Sequence, residues 1–280
     1  MERKRILILS DTHHCHKVWY GVSSEERTER LVRHVNEEYE REPFEMILFL
    51  GDYSLDFWEW EINGCYINEG RSYTEEFVKK YVCRLPSVPK YMLAGNHEQY
   101  SEEKWHEITG CSREGYVIFD NIILYMRDSF AGNLDPDFHS DGTYTPLDAK
   151  KIRSVMNEHP EKKVIICQHF FDLAVEADNE EAKELISDER VSCLFAGHNH
   201  KAHIETLPSE FGSKKLIFTG NYSYNNHNND PEPYFWGFRE LLITDDSLVT
   251  RYIIPENDIT PGDRKIHVPY HTIDEIEIKL

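Results

Sequence analysis

The chain has 280 residues and a formal net charge of −20, from 51 acidic and 31 basic side chains. This length suits one large α/β domain, and we expect residues 1–280 to form a single domain. Because the charge repels a long polyanion, a long nucleic acid is an unfavourable partner and a small substrate is expected. No apolar run is long enough to span a membrane, and the short apolar stretch after the charged start predicts a cytoplasmic protein without a secretory signal.

Apolar strands alternate with helices in the first part of the chain. We predict, in order, a strand at 6–10, a helix capped by Ser23 or Ser24 and running to about residue 42, a strand at 46–50, a helix at about 74–84, a strand at 91–94 and a short helix at about 102–108. The segment between the second strand and the second helix has no regular pattern.

The second part of the chain is richer in predicted strands. A hairpin (116–119 and 122–126) is followed by a long loop (128–146), a helix (148–158), a strand (164–167), a helix (about 180–187) and a strand (193–196). Further strands are predicted at 203–206, 215–219, 237–244 and 248–254. A loop at 221–235 interrupts this run, and the tail from residue 255 shows no clear period.

Five of the apolar strands end at side chains that bind metals. The motifs are Asp11-x-His13, Gly-Asp52, Gly-Asn96-His97-Glu98, Gln-His169 and Gly-His198-x-His200. A single aspartate in such a place is as often a helix cap. The full set is more specific, because the carboxyl ends of strands in an open α/β sheet meet where ligands bind. The sequence therefore predicts a metal site at one rim of the sheet.

In this order the motifs resemble the calcineurin-like metallophosphoesterase family, over residues 11–200. The resemblance implies an α/β fold, a four-layer α/β/β/α sandwich of two mixed β-sheets flanked by helices, with the β-rich final third completing the second sheet. It also implies a dinuclear metal-dependent phosphoesterase. In such an enzyme a hydroxide that bridges the two ions attacks a small phosphomonoester or phosphodiester.

The same resemblance implies seven metal ligands. Asp11, His13 and His200 are expected at the first ion, Asn96, His169 and His198 at the second, and Asp52 at both. Imidazole and carboxylate suit manganese, iron, zinc or nickel, and the amide oxygen tolerates a harder ion. We therefore expect two divalent or trivalent transition-metal ions, with their identity left open by the sequence.

His97 is expected to act in catalysis together with Asp52. It directly follows Asn96, so it does not easily bind the same ion, and the resemblance makes it the general acid or a stabiliser of the transition state. Some relatives place an acid three positions after the bridging aspartate to orient this histidine, but Leu55 stands there. Asp56 and Glu98 remain alternative candidates for that task.

Three segments, 53–70, 128–146 and 221–236, are expected to border the active site. Their aromatic side chains either stack a nucleobase of the substrate or pack the loops onto the sheets. These side chains are Tyr53, Phe57, Trp58, Trp60, Tyr66, Phe130, Phe138, Tyr144, Tyr222, Tyr224, Tyr234, Phe235 and Trp236.

Five further polar residues have weaker assignments. Arg71 and Arg127 are candidates for neutralising substrate charge, although surface arginines are common. His14 and His16 lie beside the first motif and are expected at the surface or behind the ligands, not as ligands. His227 lies in an asparagine-rich loop and is expected to be a solvated turn residue.

Two alternative functions remain open. A nuclease of the same family is disfavoured by the acidic charge and the lack of a basic patch. A non-catalytic scaffold that binds proteins would be free to lose ligands, whereas every ligand position and His97 are filled here. The expected partner is a small phosphorylated molecule, with nucleotides among the candidates, and the sequence leaves the oligomeric state open.

Overall fold

The computed structural model describes residues 3–19, 21–58, 65–66, 72–130, 142–223, 236–259 and 265–280. The helices are α1 (Ser24–Arg41), α2 (Tyr73–Lys80), α3 (Glu102–Thr109), α4 (Ala149–Glu158), α5 (Leu173–Ala177) and α6 (Glu180–Ser187). Within these described ranges, no helix is long and apolar enough to cross a membrane.

The strands are much more numerous than the helices. They are β1 (Lys4–Leu9), β2 (Val18–Trp19), β3 (Val22–Ser23), β4 (Met46–Leu50), β5 (Phe57–Trp58), β6 (Cys65–Tyr66), β7 (Lys90–Leu93), β8 (Gly115–Phe119), β9 (Ile122–Arg127), β10 (Lys163–Gln168), β11 (Val191–Ala196), β12 (Ala202–Thr206), β13 (Lys215–Thr219), β14 (Phe238–Ile243), β15 (Ser247–Ile254), β16 (Asn257–Ile259), β17 (Ile266–Val268) and β18 (His271–Lys279).

Most of these strands form two six-stranded mixed sheets. The first has the order β18-β15-β14-β1-β4-β7, and the second has the order β12-β13-β11-β10-β9-β8. Strands β1, β4 and β7 pair in parallel, as do β9, β10, β11 and β13. The outer strands of both sheets add antiparallel pairs. Parallel pairing brings the carboxyl ends of the central strands to the same side of each sheet.

The two sheets pack face to face, and helices cover their outer faces. Ile6 and Ile8 of β1 lie in a core shared with strands of the second sheet, whereas Leu7 and Leu9 pack with residues of the first three helices. This alternation follows from the two-residue period of a strand. A third cluster packs α4 and α6 on the second sheet. The predicted four-layer α/β/β/α sandwich is confirmed.

The expectation that the final third completes the second sheet is only half right. Strands β12 and β13 do extend the second sheet, but β14 and β15 join the first sheet, where Ile6 pairs with Leu241 across an antiparallel ladder. The reason is that β4 covers one edge of β1, and the backbone groups of its other edge also need partners.

The tail also contains strands that its sequence does not predict. Strand β18 pairs with β15 along most of its length, but the register shifts opposite the segment between Thr250 and Tyr252. On β18 itself Asp274 has a left-handed backbone with a φ of 55°. This irregularity separates Ile273 from the alternating Ile276 and Ile278, so the period of two is hidden. The short helix α5 was not predicted either, and the expected helix 74–84 is α2 followed by a 3₁₀ turn, Val82–Arg84.

Candidate metal centre

Strands from both sheets carry the predicted ligands to one rim. Asp11 and Asp52 follow β1 and β4 of the first sheet, while His169 and His198 follow β10 and β11 of the second. The backbone N–H of His198 donates to Asp11 Oδ2 at 3.0 Å. A hydrogen bond therefore joins the two sheets within the site itself.

The polar side chains form two groups that share one carboxylate. Ligand atoms of Asp11, His13, Asp52 and His200 all lie within 4.8 Å of one another, and those of Asp52, His169 and His198 do the same. Asn96 belongs with the second group, since its Oδ1 lies 2.9 Å from His169 Nε2 and 3.0 Å from His198 Nδ1. We call Asp11, His13 and His200 the first cluster, and Asn96, His169 and His198 the second cluster.

The spacing of these atoms fits bound transition metals. Metal–ligand bonds of about 2.0–2.2 Å put neighbouring ligand atoms roughly 3.0–3.4 Å apart. His13 Nε2 lies 3.3 Å from Asp52 Oδ2, and His169 Nε2 lies 3.2 Å from the same oxygen. His200 Nε2 is 3.3 Å from Asp11 Oδ1. Imidazole nitrogens and carboxylate oxygens at these separations can hold an ion in each cluster.

Five of the seven predicted ligands have left-handed backbone conformations. Their φ angles are 53° at Asp11, 43° at His13, 56° at Asp52, 66° at His198 and 55° at His200. Such conformations are unfavourable for residues other than glycine, and they are concentrated at functional sites in proteins. Here they turn side chains from the strand ends into a common volume.

The glycines before Asp52 and Asn96 are required by close packing. A Cβ on Gly95 would lie 2.1 Å from Asp52 Oδ1, and a Cβ on Gly51 would lie 2.5 Å from His169 Nδ1. Gly51 also has a φ of 94°. Side chains at these positions would displace predicted ligands, which gives the Gly-Asp and Gly-Asn motifs a physical cause.

Two histidines have hydrogen-bond partners that aim their Nε2 atoms at Asp52. His169 Nδ1 donates to the carbonyl of Leu50 at 2.6 Å. His13 Nδ1 forms a hydrogen bond of 2.7 Å with Ser223 Oγ. Such partners fix the ring orientation and the tautomer of metal-binding histidines.

Burial and neighbouring charges shift the pKa values of several side chains in the site. Burial lowers the pKa of His13 to about 3 and that of His198 to about 4. Burial also acts to lower the pKa of His169, but the neighbouring Asp52 outweighs it and raises this pKa to about 10. Burial opposes ionisation of Asp52, yet contacts with histidines, chiefly His169 and His97, hold its pKa well below the usual range. An ionised buried carboxylate between the clusters attracts cations.

His97 lies at the same site. Its backbone N–H donates to Asp52 Oδ1 at 3.2 Å, and its Nε2 is 3.7 Å from Asp52 Oδ2. Its ring is 5.5 Å from that of His13, measured between centroids. The side chain is 7% exposed, so it is nearly shielded from water.

Glu98, one of the two acids proposed to orient His97, binds backbone groups instead. It accepts hydrogen bonds from the N–H groups of Asp52, Tyr53 and Gly95 at 2.8–2.9 Å, and from that of Ser54 at 3.2 Å. Burial and the Asp52 charge raise the pKa of Glu98 to about 8, against the effect of its N–H donors. Glu98 thus links the loop that follows β4, at residues 52–54, to the loop that follows β7, at Gly95. The sequence motif did not reveal this role.

Asp56, the other candidate, binds the start of a helix. It accepts hydrogen bonds from the N–H groups of Tyr73 and Thr74 at 2.7 and 2.9 Å, at the start of α2. It also accepts one from the Tyr100 hydroxyl at 2.6 Å. Asp56 thus stabilises the start of α2, whose N-cap residue is Ser72.

Arg127 is not available for substrate in this arrangement. It is buried, donates to Gln168 at 2.5 Å and to the Tyr144 hydroxyl at 2.8 Å, and forms an ion pair with Glu176 at 3.4 Å. Its charge is therefore compensated within the protein. Arg71, the other candidate for this role, lies outside the described residues.

The histidines beside the first motif differ from each other. His14 is buried at 2% exposure, and it interacts with Thr28 and Glu76, each at 3.2 Å. It stabilises the region around α1 and α2 and is not a surface residue. His16 is exposed, as expected. His227 lies outside the described residues.

Aromatic residues of the three bordering segments mostly pack in the core. Tyr53 stacks between Phe77 and Trp105. Phe130 does reach the site, with its ring 6.1 Å from that of His169. Phe170, which was not predicted, has its ring 4.3 Å from that of His198. Trp60, Phe138, Tyr224, Tyr234 and Phe235 lie outside the described residues, as do the side chains of Trp58 and Tyr66.

Comparison with known proteins identifies the family. The profile of the calcineurin-like phosphoesterases matches residues 4–202. None of the curated proteins compared with the chain matches it.

The solved structures that match the chain are distant from it in sequence. A purple acid phosphatase from yellow lupin (Lupinus luteus) seeds is 13% identical with a TM-score of 0.48; the match covers 98% of this chain and 54% of the phosphatase, so this chain spans about half of that relative. Vacuolar Protein Sorting 29 from Cryptosporidium parvum is 10% identical with a TM-score of 0.42, covering 97% and 98%. The Pseudomonas putida nuclease MPE is 10% identical with a TM-score of 0.35, covering 89% and 84%. Because the matched family profile spans well over half of the sequence, the chain belongs to the calcineurin-like phosphoesterase family.

Proposed function

We propose that the protein is a dinuclear metal-dependent phosphoesterase that hydrolyses small phosphomonoesters or phosphodiesters. The observation that carries this proposal is the pair of clusters that share Asp52, each with nitrogen and oxygen atoms at the spacing of a bound ion. A shared carboxylate between two ions about 3.5–4 Å apart is typical of two-metal hydrolytic sites.

The seven side chains divide between the two ions in this proposal. Asp11, His13 and His200 hold the first ion, Asn96, His169 and His198 hold the second, and Asp52 bridges both. Two bound ions supply a water of lowered pKa as the nucleophile and offset the charge of the phosphoryl oxygens. The protein contributes fixed ligand positions, through the left-handed backbone at five of these residues.

His97 is the proposed proton donor to the leaving oxygen. It lies next to Asp52 without belonging to either cluster, and its burial keeps bulk water from competing for the transferred proton. Histidine is the side chain that most often acts as a general acid or base. Asp52 accepts the backbone N–H of His97 and so helps to hold the loop that carries it.

Substrate enters, in this proposal, beside His198. His198 is half-buried whereas the other six predicted ligands are buried, and the neighbouring Asn199 is exposed. The ring of Phe170 lies against His198 and provides an apolar wall at this opening. A phosphoryl group placed here would contact the second cluster first.

A small substrate is favoured over a long nucleic acid. Arg113 and Arg127 hydrogen-bond to residues around the site, but they form buried ion pairs with Asp128 and Glu176. Neither guanidinium is therefore placed to bind a row of phosphates. With a net charge of −20 the protein repels a polyanion, whereas bound cations attract a single phosphoryl group.

The test combines metal analysis with a substrate screen. Protein purified and then loaded with manganese, iron, zinc or nickel should hold close to two ions per chain, and chelation should abolish hydrolysis of an aryl phosphate. The screen covers phosphomonoesters, cyclic nucleotides and linear diesters with each metal. Full turnover without bound metal would contradict the proposal. Two bound ions with no hydrolysis of any class would support a binding scaffold instead.

A further inference from the structure

A buried turn after β13 contacts every member of the first cluster. We call Asn221, Tyr222 and Ser223 the 221–223 turn; these residues are 1%, 1% and 0% exposed. This turn lies beyond residues 4–202, the part of the chain matched by the family profile. Its role therefore does not follow from the motifs that identify the family.

Each residue of the turn makes a different hydrogen bond to the cluster. The Asn221 Nδ2 donates to the carbonyl of His200 at 2.6 Å, and the Tyr222 N–H donates to the carbonyl of Asp11 at 3.2 Å. Ser223 Oγ lies 2.7 Å from His13 Nδ1. The first two bonds hold the ligand loops, and the third reaches a ligand side chain.

The position of Ser223 is itself tightly fixed. Its N–H donates to Asn221 Oδ1 at 2.7 Å, and its carbonyl accepts a hydrogen bond of 2.6 Å from Trp236 Nε1. The Tyr252 hydroxyl donates to the carbonyl of Asn221 at 3.0 Å. The hydroxyl beside His13 therefore belongs to a rigid backbone segment.

The serine hydroxyl can support the tautomer of His13 that leaves Nε2 free to bind an ion, because its oxygen can accept a hydrogen bond from Nδ1. Metal binding through Nε2 requires a lone pair there, so the ring proton must reside on Nδ1. In that tautomer Nδ1 donates to Ser223 Oγ. The corresponding bond in the second cluster, from His169 Nδ1, goes to the backbone carbonyl of Leu50, which no side-chain substitution removes.

We propose that Ser223 is a positioning residue for the first ion, and that it sets the affinity of the first cluster without affecting the second. This inference rests on the proposed two-ion function. Outer partners of metal-binding histidines are typically worth 10–100-fold in metal affinity. Loss of the Ser223 hydroxyl should therefore lower the affinity for one of the two ions by about 10–100-fold.

The experiment is a calorimetric titration of metal-free protein with Co²⁺, accompanied by the absorption spectrum of the bound ion. For Ser223→Ala we expect a drop of about 10–100-fold in one affinity and no change in the other. Ser223→Thr, which keeps a hydroxyl, should restore most of the loss. Thr250→Val is the matched control, since it also removes a buried hydroxyl, but one on β15 that donates to the carbonyl of Glu240 at 2.7 Å. It should leave both affinities unchanged.

Two backgrounds identify the affected site. His198→Gln leaves the first cluster intact, and adding Ser223→Ala there should weaken the remaining ion. In a His200→Gln background the same change should have no effect on the ion that remains. Equal losses at both sites, or none, in the folded Ser223→Ala protein would overturn the inference.

The test separates this inference from the proposed function. If wild-type protein binds fewer than two ions, the two-ion function is wrong and the inference falls with it. If wild type binds two and Ser223→Ala behaves like wild type, only the inference is wrong. Should circular dichroism show that Ser223→Ala does not fold, Trp236→Phe serves instead. It removes the N–H that holds the Ser223 carbonyl and should weaken the same ion, and unchanged affinities would overturn the inference.

Discussion

The first and second clusters share Asp52 but are supported in different ways. In the first cluster all three residues have left-handed backbone, and their support comes from the 221–223 turn. In the second cluster only His198 has such a backbone, and His169 is held by the carbonyl of Leu50, at the end of β4. The second cluster is therefore held by a strand of the first sheet, whereas the first cluster is held by the 221–223 turn, which comes later in the chain.

This difference shows where the site can vary. A backbone carbonyl at the end of a central strand persists as long as the sheet forms. A serine hydroxyl on a turn depends on one side chain and on the contacts that hold it. Apart from the closely packed Gly51 and Gly95, we therefore expect the surroundings of the second cluster to tolerate most substitutions. The first cluster should respond to changes in the 221–223 turn.

The largest effect is expected at the residue that the clusters share. Asp52→Asn replaces a charged oxygen near both His13 and His169, so both ions should bind more weakly. Activity should fall further than for any other single substitution among the seven residues. Metal content and turnover of the same protein sample measure both effects.

The control is Asp120→Asn. Asp120 has a φ of 58°, against 56° at Asp52, and it is exposed in the β8–β9 hairpin turn. Asparagine adopts this conformation readily, so backbone strain is matched and only the location differs. If Asp52→Asn kept both ions and a near-normal rate, the shared carboxylate would not bridge the clusters.

The strand ends of both clusters could be predicted because their signals are local. An apolar run followed by Gly-Asp or Gly-Asn-His marks the end of a buried strand, and parallel strands end together. The ligand residues and the glycines beside them lie within a few positions of each strand end, so a short stretch of sequence is enough to recognise them. The sandwich was implied by the family resemblance that these motifs carry.

The supports of the first cluster could not be predicted, because they depend on distant residues. Ser223 and His13 are 210 positions apart, and a serine in a polar loop has no distinctive pattern. The sequence pointed to Asp56 and Glu98 as acids near the site. Only the folded loops show which N–H groups their carboxylates bind. The strand β18 was missed since Asp274 interrupts its alternation.

The next largest effect is expected at His97, which should affect catalysis without affecting either cluster. His97→Ala should leave the metal content intact while kcat falls by about 10²–10⁴-fold, the usual scale of general acid catalysis. The loss should be greater for alkyl or ribosyl phosphates than for an activated aryl ester, whose leaving group hardly needs a proton. Steady-state rates over a series of leaving groups measure this dependence.

Two other results would change the assignment of His97. Loss of metal together with activity would make it a ligand or a structural residue, and the division into two clusters would need an eighth member. An equal loss for good and poor leaving groups would keep His97 in catalysis but exclude proton donation. In that case electrostatic stabilisation of the transition state would account for its effect.

A third effect, on stability and not on activity, is expected behind the first cluster, at His34 on α1. Its Nδ1 lies 2.5 Å from the Tyr222 hydroxyl, and Arg33 Nη2 lies 3.1 Å from its Nε2. Because a guanidinium can only donate, Nε2 accepts this bond and the ring is neutral. Burial, with Arg33 and Arg30, lowers the pKa of His34 to about 3. His34 therefore stays neutral, and it supports the first cluster through Tyr222, whose N–H donates to the carbonyl of Asp11.

At acid pH we expect wild type and His34→Gln to differ in their free energy of unfolding. Glutamine keeps a hydrogen-bond donor and an acceptor but cannot titrate. In the unfolded chain His34 takes up a proton near its ordinary pKa of about 6.5, whereas in the folded protein it does so only near 3. The unfolded state therefore gains protons first as the pH falls. Relative to His34→Gln, wild type should lose about 1.4 kcal/mol of unfolding free energy per pH unit between these values, and nothing above pH 7. Urea denaturation of both metal-free proteins from pH 8 to 4 measures the difference, in which titrations common to both cancel. A constant difference across this range would show that His34 is not held neutral, and the first cluster would then lack the rigid support assigned to it.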